Sequence, residues 1–270
     1  MQAIWSGSIS FGLVNIPIKL YSGSEERSLD LTMLHKKDMS PIRYAKICRA
    51  EEKEIAYEDV VKGFEYEKGE YVVLTEQDFE KASSQSTHII AINEFTDEQA
   101  IDIRFFEKPY YLEPEKGGDK AYALLREALK KSKKVAVATF VLRNREHLAV
   151  IKPIGKVLVL NRIRFATEIR SANGLKLPEP HLTNEKEITM ALALIDQLSH
   201  DFKAEDFHDQ YSEDLEKAII AKSKGRKITQ KAGPKRSEIP NLMAALKASL
   251  GSKVKPKPTK KKPVNKKRAA

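Results

Sequence analysis

Apolar and polar positions divide the chain into a β-rich first half and a helical last third. Residues 9–21 carry Phe11, Leu13, Val14, Ile16, Ile18 and Leu20 and alternate in part. They read as one strand, in which Gly12 and the Asn15-Ile16-Pro17 step mark a bulge or an edge position. Residues 29–34 and 42–47 are further short strand candidates. Tyr71-Val72-Val73-Leu74 follows the turn signal Lys68-Gly69, and Thr75 with Asp78 three residues on opens a short helix through Phe79, in the manner of a capping box. Residues 89–92 and Tyr110-Tyr111-Leu112 complete this set.

The middle is more regular. Ala121, Leu124, Leu125, Ala128 and Leu129 recur at the spacing of an amphipathic helix, which Gly117-Gly118-Asp119 caps. Strands follow over 135–142, 147–154 and 156–163, joined by turns at 143–146 and at Gly155, so this stretch is an antiparallel meander. The class that results is mainly β with helices, a barrel or a sandwich. Beyond Pro178 and Pro180, Asn184 and Glu187 form a capping pair, and Ile188, Leu192, Ile195, Leu198 and Phe202 make a helical stripe. A second helix is expected from Ser212 to about Lys222. A third is expected over 237–250, with Pro240 in its first turn, Leu242, Leu246 and Leu250 spaced by four, and Gly251 as its stop. Residues 253–270 are Lys-Pro-rich low complexity.

Charge sharpens this division. The 270 residues carry a net +10, yet residues 222–270 hold 17 bases against the single acid Glu238, while the first 221 hold 31 bases and 37 acids. A segment so charged and so poor in large apolar groups is expected to be disordered, and such tails meet polyanions. Two divisions follow, a core over 1–221 and a basic tail over 222–270. No run of 18 apolar residues exists, so no membrane span is expected. The opening Met1-Gln2-Ala3-Ile4-Trp5-Ser6-Gly7 lacks a basic n-region and a long apolar stretch, so no secretory signal is expected. Cys48 is the only cysteine, which excludes an internal disulfide and a cysteine-based zinc site and fits a reducing cytoplasm.

No catalytic constellation survives inspection. Ser8-Ile9-Ser10-Phe11-Gly12 approaches a nucleophile elbow but sits in a strand rather than a strand–turn–helix setting. The six histidines lack metal-ligand spacing, and no Walker-type loop is present. The basic meander is more telling. Residues 126–170 hold twelve bases and three acids inside an otherwise acidic core, which suggests one positive face, the alternative being an evenly solvated surface. Arg143 and Arg145 sit in a tight turn, and Arg162 and Arg164 share one strand face, an arrangement suited to phosphate oxygens because the guanidinium fork matches them. With only Phe140 and Phe165 as aromatics there, backbone contact is favoured over base stacking.

Residues 3–21, with Trp5-Ser6-Gly7, Ser10-Phe11-Gly12-Leu13-Val14 and Ile16-Pro17-Ile18-Lys19-Leu20-Tyr21, resemble the opening of the bacterial Ku family of DNA-end-binding proteins. Val60-Val61-Lys62-Gly63-Phe64-Glu65-Tyr66, Tyr71-Val72-Val73-Leu74-Thr75, residues 120–129 and residues 241–250 resemble it too. One departure shows: relatives often carry a second cysteine near Cys48, and residues 49–54 have none. The resemblance implies a β-barrel core with an extended bridge arm, a helical C-terminal region and a disordered basic tail. It implies a non-enzymatic homodimer, free of cofactors, that closes a ring around double-stranded DNA ends in non-homologous end joining and recruits ligase D, at the nucleoid in the cytoplasm. By the same resemblance Lys19 begins a DNA-facing strand, Arg143 and Arg145 form an arginine turn of the ring interior, and Lys36, Lys37 and Arg43 enter the bridge arm. The basic strand carrying Arg162 and Arg164 then also lines the inner surface. The Leu242, Met243, Leu246 and Leu250 element is implicated in partner recruitment, though the same stripe could pack back on the core. Two other classes compete: an architectural binder driven by the Lys-rich tail, and a lyase or nuclease at damaged ends. Removing residues 222–270 separates the first from the ring, because a tail-driven binder then loses nearly all affinity.

Overall fold

The computed structural model describes residues 1–25, 29–82, 88–179, 182–225 and 242–251. It divides into two compact units, residues 1–27 with 31–172, and residues 28–30 with 173–270.

In the first unit the strands are β1 (Trp5–Phe11), β2 (Val14–Ser22), β3 (Lys62–Glu67), β4 (Glu70–Leu74), β5 (Ile89–Thr96), β6 (Phe106–Pro114), β7 (Val135–Leu142), β8 (Arg145–Ile154) and β9 (Val157–Ile163), with helices α1 (Glu76–Ala82) and α2 (Asp119–Ser132) between them. Seven strands close a barrel in the order β1-β2-β6-β9-β8-β7-β5, so the sandwich alternative falls away. Every pairing is antiparallel except the β1–β5 seam, where Ser8, Ile9 and Ser10 lie beside Ile89, Ile90 and Ala91 in parallel.

The run over 9–21 is two strands rather than one. Gly12, at φ +57°, turns the chain, and Leu13 projects fully into solvent, so the apolar run spans a hairpin instead of a bulged strand. Residues 29–34 and 42–47 are not strands either. Each contributes one isolated bridge, Leu34 to Pro41 and Ile47 to Glu54, closed by a tight turn whose Met39 or Glu52 has φ near +55° and turns the flanking residues out of register. The helix expected to end at Phe79 continues to Ala82. At its start the Asp78 carboxylate accepts both the Thr75 backbone N–H (2.8 Å) and the Thr75 hydroxyl (2.6 Å).

The meander reads almost as expected, but its first turn contracts to Arg143 and Asn144, at φ +54° and +61°, the conformation that two-residue hairpins require. Strand alternation directs Ile16, Ile18, Leu20, Leu112, Ala136, Ala138, Phe140, Ala149, Ile151, Leu158 and Leu160 into one buried core. Helix α2 plugs one end of the barrel with Tyr122, Leu125 and Leu129. Leu124 and Ala128, expected on its buried stripe, face outward, because Tyr122 takes the central place. Its hydroxyl donates to the Leu112 carbonyl (2.7 Å) and accepts from the Leu158 amide (2.7 Å). Gly118 precedes the helix without a side-chain cap, and a Cβ there would stand 2.9 Å from the Pro17 carbonyl oxygen.

The second unit contains α3 (Glu185–Leu198), α4 (Gln210–Ser223) and α5 (Leu242–Gly251). Asn184 and Glu187 cap α3 reciprocally (3.0 and 3.1 Å). The stripe ends at Leu198: Phe202 lies beyond the helix and stacks on Phe207 at 5.6 Å. Asp209 accepts the Ser212 amide (3.0 Å), so α4 starts two residues before the expected Ser212. Gly251 is the last residue of α5 rather than its stop, and α5 packs against α3 with Met243, Leu246 and Leu250 half-buried. The expected start of this helix at 237–241 and the Lys-Pro tail over 253–270 lie outside the described residues.

Candidate nucleic-acid interface

The inward rows of a barrel strand stay apolar only while neighbours cover them. At the end opposite α2 those rows run on past Leu20, Tyr110, Ala149 and Leu160 into Ser22, Lys108, His147 and Arg145, and Arg162. These residues, with Arg143 from the β7–β8 turn, surround a hollow of about 440 Å³, and Ile4, Tyr110 and Leu142 supply its apolar surface. The barrel thus has one mouth filled by a helix and one ringed by cations.

The cations are of two kinds. Arg145 Nη2 contacts Glu168 Oε1 at 2.7 Å, and Arg162 Nε contacts Glu107 Oε2 at 2.7 Å. Lys108 and Arg143 have no ion-pair partner among the described residues. Arg164 does not line the hollow. Its guanidinium contacts Glu107 Oε1 (3.1 Å) and donates to the carbonyls of Arg104 (3.0 Å) and Phe106 (3.3 Å). The backbone N–H of Phe165 holds the Glu168 carboxyl below the usual range, and the Arg145 and Arg164 charges add to this. Burial, then the Arg162 and Arg145 charges, push His147 below the ordinary histidine value, so it is neutral near pH 7.

The other residues singled out from sequence lie elsewhere. Lys19 sits on β2 between inward-facing Ile18 and Leu20, so it points out of the barrel, 3.6 Å from Glu115. Lys36 and Lys37 occupy the exposed turn between Leu34 and Pro41, and Arg43 contacts Glu54 at 3.2 Å. Of the twelve bases in residues 126–170, Arg126, Lys134, Arg145, Lys152, Arg162 and Arg164 contact carboxylates, three of which (Asp97, Glu98 and Glu107) come from outside that stretch. The basic meander is therefore partly neutralised, and of its six bases with no carboxylate contact among the described residues only Arg143 lines the mouth, where Lys108 of β6 joins it. Lys108 and His147 were missed. Lys108 is cross-strand from Arg162, a neighbour visible only once β6 is known to begin at Phe106.

Residues 10–191 match the family model described as the Ku70/Ku80 beta-barrel domain. The chain belongs to the Ku family. The non-homologous end joining protein Ku of Opitutus terrae is 38% identical to it, over the whole of both chains. The protein of that name in Archaeoglobus fulgidus is 39% identical over 93% of this chain and 98% of its own. That of Bacillus subtilis is 37% identical over 93% of this chain and 82% of its own. Among solved structures, the SPOC domain of human PHD-finger protein 3 aligns with 60% of this chain and 97% of its own, at a TM-score of 0.30 and 13% identity. Within this Ku chain no described helix is long and apolar enough to cross a membrane, and no described cluster of His, Cys, Asp and Glu could hold a metal ion.

Proposed function

We propose that this chain binds double-stranded DNA ends without reading their sequence, as a homodimeric ring acting in non-homologous end joining, and that it recruits ligase D rather than carrying out chemistry itself. The cation-ringed barrel mouth carries the reading. Its donors are guanidinium and ammonium groups, no side-chain amide lines it, and contacts of this kind to phosphate fix position without encoding sequence. A protein that accepts any break needs that property. The names of its relatives place them in the same repair process.

Dimerisation draws support from the β3–β4 hairpin. It is a lone two-stranded sheet with Phe64, Tyr66, Tyr71, Val72 and Val73 all exposed, and such a hairpin is marginal without a covering surface. A second copy supplies one and makes the hairpin the bridge arm of the ring. Lys36, Lys37 and Arg43, in the same excursion from the barrel, then serve as further phosphate contacts beside Lys19, Arg143, Arg145, Arg162 and Arg164. Ligase D docks on the α3–α5 pair, through Met243, Leu246 and Leu250 together with the exposed α3 residues Ile188, Leu192 and Ile195; the side chain of Leu242, expected beside them, lies outside the described ones.

Threading through a ring demands an end. Binding to a linear duplex and to a closed circle of the same sequence is compared at ~150 mM salt, near physiological ionic strength. The linear form binds strongly and the circle weakly; equal affinity would sink the ring.

A further inference from the structure

The two held arginines of the mouth are held in a particular way. Each carboxylate that grips one also has a second partner that stays in place when the arginine leaves. Glu168 Oε1 takes Arg145, while Oε2 accepts the backbone N–H of Phe165 at 2.9 Å. Glu107 Oε2 takes Arg162, while Oε1 faces Arg164, itself fixed by two main-chain carbonyls. Arg145 is the more exposed member of its pair, its side chain 68% exposed against 37% for Glu168. Swinging it into the hollow strands neither carboxylate oxygen without a donor or solvent.

We propose that Glu107 and Glu168 are gate residues. They hold Arg162 and Arg145 in carboxylate pairs until a DNA phosphate displaces them, and the mouth then seats one phosphate group among Lys108, Arg143 and the two released arginines. This rests on the mouth being a phosphate-contacting surface. The physics is an exchange of anions on one guanidinium: a carboxylate and a phosphate oxygen compete for the same N–H donors. Lys108 and Arg143, which give up no partner, make the first capture. The held pair makes the second only where the local density of phosphate is high enough to displace an intramolecular carboxylate. Duplex DNA, with a charge every ~1.7 Å of axis, meets that condition far better than a free anion. Glu107 and Glu168 therefore set the preference for a polyanion over single anions.

The test uses the full chain and a short linear duplex, with binding read by fluorescence anisotropy, for the wild type, Glu168→Gln, Arg145→Gln and the double variant. The amide introduced by Glu168→Gln keeps an oxygen for the Phe165 N–H, so the local fold is retained. Glu168→Gln should tighten binding by about 2–5-fold, the worth of an exposed ion pair. That gain should vanish in the Arg145→Gln background, since the gate acts only through Arg145. Glu146→Gln makes the same charge change next to Arg145 on β8 with no arginine in its grasp, and should shift affinity by less than about twofold through the screened general field. Glu107→Gln, acting through Arg162, should repeat the gain. No gain in Glu168→Gln, or an equal gain with and without Arg145, overturns the gate. If Lys108→Gln and Arg145→Gln also leave affinity untouched, the phosphate surface itself lies elsewhere and the larger reading of the mouth fails with it. Duplexes with 5′-phosphate and 5′-hydroxyl ends run in parallel separate the source. A gain on both assigns the seat to a backbone phosphodiester, a gain confined to the former assigns it to the terminal group, and either sustains the proposal.

Discussion

His147 shows how one side chain ties the barrel to its ligand. It faces Arg145 on its own strand, Arg143 on the preceding turn, Arg162 on β9, and Lys108 and Glu107 on β6. Burial and the neighbouring arginines depress its pKa below 6.5, so the unfolded chain takes up a proton at higher pH than the folded one does. Its contribution to stability is therefore present above about pH 6.5, the unfolded value, and is lost as pH falls through the depressed folded value. Binding runs the other way. A phosphate in the mouth offsets the arginine charges, raises the pKa of His147 and draws in a proton. Affinity for linear duplex should rise between pH 7.5 and 5.5, by up to about tenfold per unit of pKa difference, and His147→Gln should flatten that slope in the same anisotropy titration. At this scale the sequence was informative where chemistry is local. Arg143-Asn144 between two apolar strands already marked a basic hairpin turn. Lys108 and His147 were illegible, since what makes them functional is an inward row completed by β9 and β8, dozens of residues away.

Among the elements, α2 has the clearest structural task, and Tyr122 is its keystone. The hydroxyl of this buried residue bridges the Leu112 carbonyl and the Leu158 amide, which belong to two different strands. Tyr122→Phe keeps the ring in place but leaves a buried donor and acceptor unpaired, and should destabilise the first unit by about 1–3 kcal/mol, read as a lower denaturation midpoint at unchanged slope. Segmentation from sequence succeeded for β7, β8 and β9 because two-residue turns with special backbone angles interrupt the apolar pattern sharply. It failed over 9–21, where Gly12 and Leu13 reverse the chain without breaking the hydrophobic run. It failed again at Phe202, whose spacing continues the α3 stripe although Ser199 has already left the helix. An apolar period describes which residues could share a face, but not where the backbone stops.

For the whole molecule, the balance of charge changes meaning once contacts are known. The meander's excess suggested one positive face; half of its bases contact carboxylates, and the barrel mouth draws only Arg143, Arg145 and Arg162 from it, with Lys108 from β6. Assembly makes its own prediction. Phe64 and Val72 are cross-strand partners on the exposed hairpin, and Phe64→Asp should shift sedimentation from dimer to monomer while leaving the barrel's unfolding transition in place. Closure of the barrel itself depends on the parallel seam of three residue pairs, joining strands whose intervening chain contains the hairpin and both bridged turns. That places a deadline on synthesis. The first hairpin leaves the ribosome with both edges open: β5 closes one only after residue 96 is made, and β6 the other only after residue 114. Until then the newborn chain presents a hydrophobic edge to its neighbours, and the slanted hydrogen bonds of this short seam should be the first of the barrel's to exchange their hydrogens in the finished protein.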